Sequence, residues 1–181
     1  MDVYNAFLRG DLYEEVYMEL PQGFKKQGET KLIYDLGLGD AKPVFTLIDL
    51  NKKFSSAEFD RHTRVTGDEV LPDVSKYHRL IGRLIYLTIT RPDIAFPVQT
   101  FCQFMQEPKK SHWDAAVRVV RYIKQEPGMG IFLSRSNEDS LTYFCDADWA
   151  SCPNTRRSVT GYLIKFCDSL ISWKSKSSIQ C

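Results

Sequence analysis

The 181-residue sequence is poor in the residues that build metal centres and disulfide frameworks. It has three scattered histidines, His62, His78 and His112, and five cysteines, Cys102, Cys145, Cys152, Cys167 and Cys181, with no Cys-x-x-Cys among them. That pattern argues against a zinc site of ordinary spacing. The odd cysteine count argues against a closed disulfide framework, so the thiols are expected to be unpaired in a reducing, intracellular compartment. No apolar run approaches the roughly 18–20 residues of a membrane helix, so no membrane partner is expected. Residues Met1 to Glu15 carry Asp2, Arg9, Asp11, Glu14 and Glu15 and no apolar stretch, which argues against a secretory signal. Net charge is also nearly absent: 24 Lys and Arg against 23 Asp and Glu give +1. A chain-wide attraction to polyanions is excluded, whereas local patches are not. There is no internal repeat. What remains is an ordinary globular composition, 43% hydrophobic and 13% aromatic, enough for a core in one or two small domains.

The charge that is there is unevenly spread. Residues 1–20 carry five acids against Arg9. Residues 76–124 carry nine bases against three acids, a net of +6. A basic face of this kind hints at a nucleic-acid backbone, but charge alone does not favour that over a solvated helix surface. Arg79, Arg83, Arg118, Arg121 and Lys124 are its candidate phosphate contacts, with Trp113 or Tyr122 able to stack on a base.

Residues 1–24 read as a short strand start, a helical turn around Asn5–Leu12 and an extended piece, ended by Pro21, Gly23 and Gly28. The polar stretch Lys52–Asp73 reads as a poorly ordered loop. Helical periodicity then dominates. Tyr77, Leu80, Ile81, Leu84, Ile85 and Thr88 share one face of a 3.6-residue period, behind Ser75 as cap. Pro92 suits the first turn of a second helix reaching to about Gln106, with Pro97 expected to kink it. Ser111 and Asp114 form the start signal of a third, with Ala116, Val119, Val120 and Ile123 as its apolar face and Pro127-Gly128 as its stop. After Gly130, Ile131–Ser134, Ser140–Asp146, Ser158–Phe166 and Leu170–Lys174 are β-rich runs in antiparallel order. Gly161 marks a bulge or a close contact. The fold class expected is α+β.

Two acidic positions stand out. Asp2 sits at a strand end before an aromatic-rich turn. Asp146 and Asp148 alternate along one strand and so share a face. Two acids that close repel unless a cation lies between them, and Mg²⁺ or the arginines Arg156 and Arg157 are equally suited to that place.

Two long stretches resemble the Pol polyprotein of copia-type retrotransposons. Residues 1–24 (MDVYNAFLRGDLYEEVYMELPQGF) are similar to the first catalytic-aspartate segment of its reverse transcriptase. Residues 77–88 (YHRLIGRLIYLT), 90–95 (TRPDIA), 143–150 (YFCDADWA), 155–162 (TRRSVTGY) and 170–176 (LISWKSK) are similar to the segment joining the polymerase to its ribonuclease H domain and to the start of that domain. Residues 41–44 (AKPV) also resemble the family. The two stretches, 1–24 and 75–178, cover about 130 residues. The resemblance implies that Asp2 matches a polymerase metal ligand and Asp146 a ribonuclease H metal ligand. Each of those sites uses two Mg²⁺ ions in the family, acting on nucleotides or on an RNA–DNA hybrid.

The departures from the family pattern are specific. The sequence has no Asp-Asp pair, and 16 residues separate Phe24 from Ala41 where the family places most of its palm. The expected organisation is a palm remnant at 1–28, a junction at 29–74, a helical connection segment at 75–128, and at 129–181 the antiparallel half of a ribonuclease H-like fold. Tyr143–Asp148 is expected as its central strand, with Asp146 exposed at the end and the third helix packed on the sheet. The implied function is that of a degenerate Pol fragment without catalysis of its own. Asp146 and Asp148 would then hold at most one weakly bound Mg²⁺. The alternative is a non-sequence-specific nucleic-acid-binding module, whose basic helices bind an RNA–DNA hybrid or other nucleic acid weakly.

Overall fold

The computed structural model describes residues 29–48, 54–134, 140–148 and 158–177. The expected strand and turn of residues 1–24 lie outside them. Among the described residues there are five α-helices: α1 (Glu29–Asp35), α2 (Ala57–Thr63), α3 (Val74–Leu87), α4 (Ala95–Phe101) and α5 (Lys110–Ile123). Three strands follow: β1 (Leu141–Asp148), β2 (Val159–Phe166) and β3 (Ser169–Ser177). The class is α+β.

The apolar stripes of α3 and α5 form the centre of the helical layer. Tyr77, Leu80, Ile81, Leu84 and Leu87 of α3 meet Ala116, Val119, Val120 and Ile123 of α5, and Leu32 and Ile33 of α1 close one end. The buried stripe differs from the expected one at its end: Leu87 is inside and Ile85 is 45% exposed. The cap of α3 is Asp73 rather than Ser75, and its carboxylate accepts the Lys76 amide at 3.3 Å. Pro97 is the third residue of α4, where its missing N–H would have no intrahelical partner anyway, so it costs no helical bond. The second helix is shorter than expected, because a 3₁₀ turn (Cys102–Phe104) follows Phe101. Three residues per turn put Phe101 and Phe104 on the same side, and both are buried.

The stretch expected as a poorly ordered loop contains α2. Ser56 Oγ caps it by accepting the Phe59 amide at 3.1 Å, and Arg64 closes it in the left-handed conformation. The chain beyond is tied to the start of α5, through Leu71 N–H to Pro108 O (2.8 Å) and Lys110 N–H to Glu69 O (2.9 Å). The start of α5 also differs from expectation. Ser111 does not cap it; instead Asp68 accepts both the Ser111 amide (3.0 Å) and its hydroxyl (2.6 Å).

The sheet is an antiparallel meander in the order β1-β2-β3. β2, not the expected Tyr143–Asp148 strand, is central, because two successive hairpins leave the middle strand in sequence in the middle of the sheet. Ile131–Ser134 is no strand; its tie to the sheet is Ser134 N–H to Ser169 Oγ at 2.7 Å. The bulge lies at Ile164/Lys165, and Gly161 pairs regularly with Asp146 and Ser175. The sheet packs on α4, not on α5 as expected, and the Trp173 indole N–H donates to Thr88 O at 3.0 Å. Among the described residues, no helix is long and apolar enough to cross a membrane, and no disulfide links Cys102, Cys145 and Cys167.

Candidate functional site

β1 carries Asp146 two residues before its end, opposite Gly161. Strand alternation places Asp146, Gly161 and Ser175 in one cross-strand row, next to the row Phe144, Leu163 and Trp173. Asp146, Gly161, Phe144, Leu163 and Trp173 line, with Pro92 and Ala95, an open groove of about 460 Å³. The Asp146 carboxylate is exposed, as expected, and accepts the Ala147 amide at 2.8 Å. Of Asp148 the backbone is described, paired with Val159. Asp2, Arg156 and Arg157 lie outside the described residues.

Among the described residues, no three histidine, cysteine, aspartate or glutamate side chains come together as a metal-holding group. Asp146 by itself does not fit a two-Mg²⁺ centre. Ions about 4 Å apart need several acids to offset their repulsion.

The five candidate phosphate contacts have different fates. Arg79 is exposed on α3. Arg83 pairs with Asp35 at 2.7 Å. Arg118 and Arg121 of α5 and Lys124, the residue that caps its C-terminus, grip one segment, residues 38–46. Arg118 donates to Thr46 O (3.1 Å) and Thr46 Oγ1 (2.5 Å), and Arg121 donates through Nε to Lys42 O (2.8 Å). The Lys124 ammonium donates to Leu38 O (3.1 Å), Ala41 O (2.8 Å) and Gly39 O. Carbonyls satisfy the donors without cancelling their charge, so the face stays positive. Of the two stacking candidates, Trp113 packs against the helical core, and Tyr122 has the Arg91 guanidinium 5.9 Å from its ring centroid.

The chain is 42% identical over 160 residues to the retrovirus-related Pol polyprotein from transposon RE2 of Arabidopsis thaliana, a match covering 87% of this chain. It is 38% identical over 147 residues, 81% of this chain, to the corresponding polyprotein from transposon TNT 1-94 of Nicotiana tabacum. The chain belongs to the copia-type retrotransposon Pol family. An uncharacterized mitochondrial protein of Arabidopsis thaliana is also similar, at 35% identity over 148 residues or 81% of this chain. This Pol-family chain spans 57% of that mitochondrial protein, 10% of the RE2 polyprotein and 11% of the TNT 1-94 polyprotein. Neither a family profile nor a solved structure matches it.

Two buried cations of the Pol-family chain were counted from sequence with the basic face and lie inside instead. Arg91 is 1% exposed and bonds Asp93 (2.8 Å), Glu29 (3.1 Å) and the Glu126 carbonyl (3.3 Å). Burial works against its charge, but Asp93 and Glu29 outweigh that and push its pKa above the ordinary value. Glu29 also accepts the amide of Gly128, whose φ of 89° makes the turn after α5. The second is Lys109. Its three protons meet Ser55 Oγ (3.0 Å), Asp60 Oδ2 (2.5 Å) and Asp68 Oδ2 (3.1 Å). Burial raises both carboxyls, yet hydrogen bonds from Lys109 and Ser55 to Asp60, and from Ser111 and Lys109 to Asp68, hold them below the ordinary range. His112 lies beside this cluster, and burial, with the Lys109 charge second, lowers its pKa to about 4. With every donor met, these two clusters lock elements together. The Asp93 beside Pro92, two residues after Arg91, was the signal that could have found the first. The second leaves none, because its acids lie 49 and 41 residues from Lys109 in sequence.

Proposed function

We propose that this chain corresponds to the connection segment of a copia-type Pol and the opening strands of its ribonuclease H-like domain. The observation that carries the reading is the antiparallel meander with Asp146 on its first strand, opposite Gly161. That strand is the one whose sequence resembles the family's first ribonuclease H acid. These 181 residues by themselves neither join nucleotides nor cut a hybrid. The sequence has no Asp-Asp pair, and Asp146 gathers no three-ligand group among the described residues. Their activity is to bind nucleic acid through the basic helices, weakly and without sequence preference.

A titration with an RNA–DNA hybrid and with duplex DNA tests the binding. With three phosphate contacts, the slope of log K against log salt is about −3 on duplex DNA. Tight binding unaffected by salt, or a strong preference for one sequence, overturns it. Primer extension on a homopolymer RNA template, with Mg²⁺ or Mn²⁺, tests the polymerase half. No incorporation is expected; incorporation lost in Asp2→Asn contradicts it.

A further inference from the structure

We propose that residues 38–46 are a strap that competes with a nucleic-acid backbone for the cations of α5. The proposal rests on the reading above that this face meets phosphates. All three Lys124 protons are taken by carbonyls of Leu38, Gly39 and Ala41, which leaves none for a ligand. Arg118 gives Nε and one terminal nitrogen to Thr46, and Arg121 gives Nε to Lys42. The Val44 amide returns a bond to Arg121 O at 3.3 Å.

The strap is built to lift. Leu36 before it and Leu38 at its start, with Leu47 and Ile48 after it, pack against the helical core. Between those anchors Gly39, Asp40, Lys42, Pro43, Phe45 and Thr46 are exposed, so their carbonyls can pass to water once released. A phosphate offers a full negative charge where the carbonyl offers a dipole, and charge-assisted bonds are roughly twice as strong. Strap and phosphate therefore use the same donors in turn. A strap open about a tenth of the time lowers apparent affinity about tenfold.

The test is an anisotropy titration of a labelled 16-base-pair DNA duplex against the full chain and a Pro43→Gly/Val44→Gly/Phe45→Gly variant, which disfavours the docked strap without changing charge. The variant is expected to bind about tenfold tighter. Its salt slope should match that of the unaltered chain, because Lys124 and Arg118 meet phosphates in both complexes once the strap has lifted. Adding Arg118→Gln and Lys124→Gln should remove the gain. A folded variant that binds like the unaltered chain overturns the strap but leaves the basic face standing. If neither binds at low salt, both readings fall. Amide exchange in the unaltered chain is a second readout independent of the variant's folding. Saturating duplex should speed exchange at Val44 while the α5 core stays protected. Unchanged or slower exchange at Val44 overturns the proposal.

Discussion

His112 should make this protein lose stability between pH 6.5 and 4. The ring is fully buried and stacks on Phe104 with centroids 3.9 Å apart. Its Nδ1 accepts the Lys109 amide at 3.1 Å, so that nitrogen carries no proton. Its Nε2 lies 3.1 Å from Ser55 O and donates to it, so the ring is the neutral Nε2–H tautomer. A second proton would have to go on Nδ1. It would face the Lys109 N–H and add a positive charge beside Lys109. Burial and that charge lower the pKa from 6.5 to about 4. The folded state thus refuses a proton that the unfolded state accepts. The stabilisation is complete above pH 6.5 and fades as pH falls toward 4, by up to about 1.4 kcal/mol per pH unit. At pH 4.5 the loss is about 2.5 kcal/mol, a large share of a small domain's stability. The lowered pKa values of Asp60, Asp68 and Asp93 act in a lower window, below about pH 4. Urea unfolding at pH 7 and pH 4.5 measures the difference. A His112→Asn variant should be less stable at pH 7 but show little change between the two. Equal wild-type stability at both pH values, with His112 titrating near 6.5 by NMR, would refute the reasoning.

Other perturbations follow from the same contacts. Lys109→Met strands Asp60 and Asp68 without their cation and should cost about 3–5 kcal/mol in urea unfolding; a loss under 1 kcal/mol would show that the carboxylates find water instead. Arg91→Met leaves Asp93 and Glu29 unpaired and should cost a similar amount, about 3–5 kcal/mol, with the loss shrinking at low pH as the acids protonate. Trp173→Phe removes the bond to Thr88 O, so unfolding should show a loss of about 1 kcal/mol.

The parts that could be read in advance are those written in apolar periodicity. Tyr77, Leu80, Ile81 and Leu84 repeat at helical spacing, as do Ala116, Val119, Val120 and Ile123, and each set lies in the core. β1, β2 and β3 were visible as β-rich runs between turn residues. Their order was not, because chain-adjacent pairing makes β2 central whatever the chemistry of β1. α2 was invisible for a different reason: its buried residues are Ala57 and Asp60, and an ionic contact to Lys109 holds it rather than an apolar stripe. Lys109 and Arg91 resemble surface residues in sequence, since only their distant acids make burial tolerable. The positions of Arg118, Arg121 and Lys124 along α5 followed from the sequence. Their partners did not, because backbone carbonyls of residues 38–46 have no residue type to read.

The proposed function gives these 181 residues part of a Pol polyprotein without its catalysis. A labelled RNA–DNA hybrid, incubated with Mg²⁺ and either the unaltered chain or its Asp146→Asn variant, tests it most directly. The account predicts an intact hybrid in both, bound with an affinity that falls as salt rises. Metal-dependent cutting by the unaltered chain, abolished in Asp146→Asn, would contradict it.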